Sequence, residues 1–263
     1  KEDMVVTVTS GGYIKRTPLI DFRAQKRGGK GVAGMQTKEE DVITTLFVAN
    51  THTQLLFFTT DGIAYKLKTW RLPQGGRTSK GKAIVNILPI PVGVSIAAIM
   101  PVDRDEEEWG DLQVVFATSA GTVRRNKLSD FTNVKSNGKI AMKFEDDHAE
   151  TTMINARIAS HDDDVMLITN SGRAIRFPAT DVRVFNSRAS VGVRGIRLNG
   201  DDTVVSMSII HHFDATSEER TAYLKMRRAM AGIADDADAE EDEAPADPNF
   251  SNERYVEMSA AEN

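Results

Sequence analysis

At 263 residues, with 40% apolar residues and no cysteine, the chain is long enough for a sizeable core and carries neither a disulfide framework nor a cysteine-based metal site. No apolar run approaches the roughly 18 residues that span a bilayer, and no signal-peptide pattern opens the chain, so the expectation is a soluble, cytoplasmic protein. The formal charge of −5 hides a segregation: residues 214–263 hold 14 acids against 5 bases, and residues 1–213 hold 24 against 28. Such asymmetry points to an anionic partner such as nucleic acid, beside an acidic tail.

Taken in order, the chain repeats itself. Apolar, β-rich runs reach a turn glycine four times: Val5-Val6-Thr7-Val8 to Gly12, Leu55-Leu56-Phe57-Phe58 to Gly62, Val114-Val115-Phe116 to Gly121, and Val165-Met166-Leu167-Ile168 to Gly172. The turns Ser-Gly-Gly, Thr-Asp-Gly, Ser-Ala-Gly and Asn-Ser-Gly suit tight β-hairpins. Four residues past each glycine stands a cation (Arg16, Lys66, Arg125, Arg176), and a basic loop then leads to a second glycine at Gly31, Gly81, Gly138 and Gly192. Successive first glycines lie 50, 59 and 51 residues apart.

A third strand is expected at Ala83–Ile87 and Val193–Leu198, and a fourth at Val42–Val48, Val94–Ile99 and Val204–Ile209. Four strands in about 50 residues is the size of a propeller blade. The repeats fall near 1–51, 52–111, 112–162 and 163–213. The long second spacing comes from an acidic stretch around Trp109, Asp103–Asp111, read as an inserted surface loop. No part of 1–213 sustains a 3.6-residue period, so the fold class is all-β, with about four blades.

Residues 214–263 differ. Thr216-Ser217-Glu218-Glu219 is a capping box ahead of Tyr223, Leu224, Met226 and Met230, so a helix is expected near 217–231. Asp235–Asp247 is acidic and reads as a disordered linker, or as a DNA mimic that competes for basic surface. A second helix is expected near 252–262. The chain ends without a closing strand, so a piece of a longer protein is expected.

No catalytic constellation assembles. The five histidines lack metal-ligand spacing, no phosphate-loop or dinucleotide fingerprint is present, and no metal or cofactor is assigned to the chain. Binding is left. The stretch Gln25-Lys26-Arg27-Gly28-Gly29-Lys30-Gly31 crowds three cations and three glycines into one loop, a composition suited to close approach of a polyphosphate. The other cations keep phase with the repeat: Lys15, Arg16, Lys66, Lys68, Arg71, Arg77, Lys80, Lys82, Arg124, Arg125, Lys127, Lys135, Lys139, Arg173, Arg176, Arg188 and Arg194. Arranged around an axis they would form a curved basic perimeter able to bend duplex DNA through phosphate contacts. Strand-flanking cations can also serve only to protect edges.

The loop at 25–31 resembles the seven-residue box of the DNA gyrase A C-terminal domain family, with Lys26 where arginine is usual. The segments Leu46–His52, Ile84–Pro89 and Val193–Leu198 resemble further parts of that family, in order over residues 4–213. The resemblance implies a β-pinwheel, in which propeller-like blades exchange outer strands, and a duplex wrapped on the basic edge so that gyrase introduces negative supercoils. It implies partners in double-stranded DNA, in the rest of gyrase A and in gyrase B, within an A2B2 holoenzyme in the bacterial cytoplasm, on the nucleoid. ATP, Mg and the catalytic tyrosine would belong to other domains, so this chain is not expected to be an enzyme on its own. The alternatives are the corresponding C-terminal domain of topoisomerase IV, disfavoured by the intact box, and a propeller-type protein-interaction module, which would place apolar patches on the rim.

Overall fold

A computed structural model describes residues 1–22, 41–144, 150–186, 191–230 and 251–261. The chain divides into two compact units, Lys1–Ile210 and His211–Asn263.

The first unit is built on antiparallel hairpins, with 3-10 turns after them and isolated parallel bridges pairing Arg16 with Gln74 and Arg125 with Val184. Each repeat opens with a hairpin: β1 (Asp3–Thr9) with β2 (Tyr13–Pro18), β4 (Gln54–Thr59) with β5 (Ile63–Lys68), β8 (Gln113–Thr118) with β9 (Thr122–Lys127), and β12 (Asp163–Thr169) with β13 (Ala174–Pro178). One design serves all four turns. A threonine three residues before the glycine accepts the glycine's amide on its carbonyl, at 2.9–3.0 Å, in Thr9, Thr59, Thr118 and Thr169. The same threonine's hydroxyl accepts the amide of the residue after the glycine, at 3.2–3.3 Å. Gly12, Gly62, Gly121 and Gly172 take φ of 76–83°, the left-handed region that such a turn requires.

A long strand pairs on the free side of the first hairpin strand: β3 (Ile43–Asn50) on β1, β7 (Ile96–Val102) on β4, β11 (Met153–Ala159) on β8 and β15 (Val204–His211) on β12. In the first three sheets the remaining strand comes from the next repeat. β6 (Lys82–Ala83) pairs with β2, β10 (Lys139–Ile140) with β5, and β14 (Val193–Arg194) with β9. The strand orders are β3-β1-β2-β6, β10-β5-β4-β7, β11-β8-β9-β14 and β13-β12-β15, so the fourth sheet has three strands among the described residues.

These exchanged strands are far shorter than the sequence led us to expect. Ala83–Ile87 gives the ladder one residue, Ala83, and then enters a 3-10 turn at Ile84–Asn86, whose Ile84 is buried. Val193–Leu198 likewise keeps only Val193 and Arg194 in the ladder. Each exchanged strand follows a glycine that lies against the neighbouring repeat. A Cβ on Gly81 would stand 2.5 Å from the Ile14 carbonyl oxygen, and one on Gly192 would stand 2.5 Å from that of Val123.

The apolar runs alternate between two cores. Leu55 and Phe57 pack with Val6, Val8 and Ile14 of the first sheet, while Leu56 and Phe58 pack with Val114 and Phe116 of the third. Val115 and Ala117 then pack with Val165 and Leu167 of the fourth. A strand with period 2 and apolar on both faces lies between two sheets, which is why these segments read as unbroken apolar runs. Phe58, Phe116 and Phe131 meet edge to face, with centroids 5.2–5.9 Å apart.

The acidic stretch is a correction to the sequence reading. Glu106–Asp111 forms a 3-10 helix, and Trp109 is fully buried in the core between the second and third sheets. Its indole N–H donates to the Arg104 carbonyl at 3.0 Å, so the ring's one polar group is satisfied and the insert is anchored.

The second unit holds α1 (Ser217–Met230) and α2 (Asn252–Ala261). The capping box forms in both directions: the Thr216 amide donates to Glu219 at 2.8 Å, and the Glu219 amide donates to the Thr216 hydroxyl at 3.1 Å. Arg254 of α2 donates to Glu219 at 2.9 Å and to the Asp214 carbonyl at 2.6 Å, and the Tyr223 and Tyr255 rings lie 5.0 Å apart. The acidic run 235–247 lies outside the described residues.

Candidate nucleic-acid interface

The second hairpin strand and the 3-10 turn after it lie at one edge of each sheet, joined in the first three sheets by the exchanged strand, away from β3, β7, β11 and β15. Among the described residues, the cations singled out from the sequence fall on this edge or in the loops that feed it. The fold divides them into two sets.

One set is consumed by the fold. Lys15 is fully buried, and its ammonium donates to the carbonyls of Gly76 and Arg77 in the next repeat, at 2.9 and 2.5 Å. Burial pushes its pKa down from the ordinary lysine value. Arg124 is fully buried, donates to Asn126 at 2.7 Å and lies 5.2 Å from the Phe185 ring centroid. Arg125 is also buried, with burial pulling its pKa down, and its backbone oxygen accepts the Phe185 amide of the following repeat at 2.8 Å. Arg16 donates to the Leu72 carbonyl, and Lys66 to Glu106 and to the Thr132 carbonyl. Lys15, Arg124 and Arg125 are therefore corrections to the predicted perimeter: the next repeat's loop closes over positions three and four past the hairpin glycine. The phase-locking of those cations records how blades are tied together.

The other set stays at the surface. Lys68, Arg71, Lys82, Lys127, Lys135, Arg173, Arg176 and Arg194 are exposed, and Arg77 and Lys80 are half-buried. The half-buried Lys139 belongs with the first set, its ammonium donating to the Asp130 and Asn133 carbonyls at 2.6 and 3.0 Å. Arg71 stacks on Trp70 at 5.0 Å and Lys80 on Tyr13 at 4.2 Å, which holds both charges near the surface without neutralising them. Arg176 is shared with Asp164 at 2.6 Å. Lys143, Arg183 and Arg197 are also exposed along this edge. The box residues Gln25, Lys26, Arg27, Gly28, Gly29, Lys30 and Gly31, and also Arg188, lie outside the described residues. No group of three or more His, Cys, Asp or Glu suited to a metal ion occurs among the described residues, and no described helix is long and apolar enough to cross a membrane.

The profile of the family described as "DNA gyrase C-terminal domain, beta-propeller" matches the chain four times, at residues 3–50, 53–103, 113–152 and 163–211, once per sheet. The chain belongs to the DNA gyrase C-terminal domain family.

DNA gyrase A of Rickettsia bellii is 47% identical over 226 residues, covering 86% of this chain and 25% of that protein. DNA gyrase A of Granulibacter bethesdensis is 47% identical over 247 residues, covering 92% and 26%. The chain thus spans about a quarter of the length of the curated relatives it matches. Among solved structures, the C-terminal domain of DNA topoisomerase IV superimposes with a TM-score of 0.66 at 25% identity, covering 80% of this chain and 62% of that one. The C-terminal domain of DNA gyrase A superimposes with a TM-score of 0.61 at 25% identity, covering 80% and 65%. The expected β-pinwheel architecture of the gyrase C-terminal family is what the four sheets form, with strands exchanged between neighbours.

Proposed function

We propose that this chain binds duplex DNA along the strand-exchange edge and bends it around the blades, so that a gyrase holoenzyme introduces negative supercoils. The observation that carries this reading is the division of cations. After the fold has used Lys15, Arg124 and Arg125 internally, exposed Lys and Arg remain on the same edge of successive sheets. Evenly placed phosphate contacts need no base reading, because curvature and deformability supply the preference. The box at 25–31 belongs to the first repeat and would make the contact that turns binding into wrapping. In this reading the chain is the non-catalytic part of an A2B2 enzyme working on nucleoid DNA in the bacterial cytoplasm, with strand cleavage and ATP and Mg chemistry in other domains.

The test is a salt titration of duplex binding, read by fluorescence anisotropy. With about 6–10 phosphates contacted, affinity should fall about 10³–10⁵-fold between 50 and 200 mM salt. Absent or salt-insensitive binding would overturn the reading and favour a protein-interaction module. A topoisomerase IV-type role has support in the superposition on that enzyme's C-terminal domain. It predicts the same salt dependence without chiral wrapping.

A further inference from the structure

The loop of the second repeat, Gln74–Lys80, has a backbone whose direction is set by a buried charge. Lys15 reaches it from the preceding blade, and its ammonium draws in the carbonyls of both Gly76 and Arg77. The Ser79 amide and hydroxyl also donate to the Gly76 carbonyl, at 3.1 and 2.8 Å, which fixes that peptide from a second side. In a trans peptide the C=O and N–H point in opposite directions, and no cis peptide occurs among the described residues. The N–H groups of Arg77 and Thr78 share peptide planes with those two carbonyls, so both face away from the ammonium. Neither amide donates to a protein group among the described residues.

Adjacent amides in a turn, here closed by the Ser79 amide on the Gly76 carbonyl, are the donor pattern of an anion-binding concavity. The surroundings suit an anion. A Cβ built on Gly76 meets nothing within 4 Å, so one wall is open to an approaching group. Lys80, held 4.2 Å from the Tyr13 ring, and the half-exposed Arg77 supply charge on either side. Counted back from the second glycine, Arg77 and Lys80 stand at the positions that Arg27 and Lys30 occupy in the first repeat.

We infer that Gln74–Lys80 is a second phosphate cradle, in which the Arg77 and Thr78 amides and the Arg77 and Lys80 side chains take one phosphodiester of a bound duplex while Lys15 acts as a positioning residue from beneath. The inference rests on the DNA-binding reading above. Lys15 touches no phosphate. Its role is to hold two peptide planes so that their donors are presented without reorganisation when DNA arrives, the same logic by which preorganised donors favour a bound anion.

The test follows backbone amides by NMR in the 15N-labelled chain titrated with a short duplex. The Arg77 and Thr78 signals should shift on titration. The Arg77→Ala/Lys80→Ala variant should lower the slope of log affinity against log salt by about 2, one per phosphate-directed cation. Lys15→Met keeps the stem but not the charge, and should abolish the Arg77 and Thr78 shifts while residues around Lys135 still respond. Should Lys15→Met fail to fold, the wild-type titration and the double variant decide. Shifts elsewhere with the Arg77 and Thr78 amides unmoved, or an unchanged salt slope in the double variant, would overturn the cradle and leave DNA binding standing. A wild-type chain that binds no duplex would overturn both.

Discussion

Lys66 Nζ lies 2.7 Å from Glu106 Oε1 and 2.5 Å from the Thr132 carbonyl oxygen, so one ammonium joins its own strand to the acidic insert and to the next repeat. A cation two residues further on, Lys68, is exposed. The two therefore part company under mutation. Lys66→Ala strips a charge partner from a mostly buried cluster and should destabilise the chain by about 1–3 kcal/mol in denaturant unfolding. Lys68→Ala should leave stability within about 0.5 kcal/mol and lower duplex affinity instead. Equal stability of the two variants would show that the Lys66 contacts contribute nothing.

The insert has its own signature. Trp109 is fully buried among Leu56, Phe58, Phe116 and Phe131, so Trp109→Ala should cost about 3–5 kcal/mol. A loop lying on the surface would tolerate the change. Thermal unfolding followed by far-UV circular dichroism separates the two outcomes.

Acid should loosen the fourth blade's turn. The Ser171 hydroxyl and amide, with the Thr203 amide, hold the Asp202 carboxyl below the ordinary 3.8. A carboxylate whose folded pKa lies below its unfolded pKa gives stability that is present above the unfolded value and lost as pH falls through the folded one. Asp202→Asn should therefore be less stable than the wild type at neutral pH, and the gap should close as pH falls below 3.8. A gap that is constant with pH would contradict the assignment. Denaturant midpoints at several pH values provide the check.

Much of this architecture is legible in the residues. The four apolar runs, the turn glycines and the capping box at Thr216–Glu219 predict the hairpins and α1, because backbone sterics and period-2 burial act locally. The threonine three residues before each turn glycine carries the same signal, since its hydroxyl and carbonyl close the turn. Lys15, Arg124 and Arg125 are not legible as structural cations. A lysine under a loop of the following repeat has the same sequence signature as a lysine facing solvent, and only the exchanged strand brings that loop over it. The exchanged strands are overestimated for a related reason: Ile84 and Val85 have strong β propensity, but Ile84 is drawn into the core by a 3-10 turn, and tertiary burial overrides the preference. Trp109 in a run of acids reads as a loop until its ring is seen to fill a core.

The exposed edge should behave additively. Lys82→Ala, Lys127→Ala, Lys135→Ala and Arg194→Ala, made singly, should each weaken binding to unrelated duplexes alike and lower the salt slope by about 1 where a phosphate contact is lost. Arg124→Ala should instead act through stability, since its guanidinium is buried. Sequence-dependent losses in the first four variants would point to base reading, contrary to contact through phosphates alone.

Chiral wrapping separates a supercoiling domain from one that merely binds, and linking number reads it directly. The chain is bound to relaxed circular DNA at low salt, a nicking-closing topoisomerase is added, the protein is removed and the topoisomers are resolved. A wrapping domain should shift the linking number, and the shift should disappear when Lys26, Arg27 and Lys30 are changed together to alanine, while most of the duplex affinity remains. Tight binding with no shift in the wild-type chain would contradict chiral wrapping.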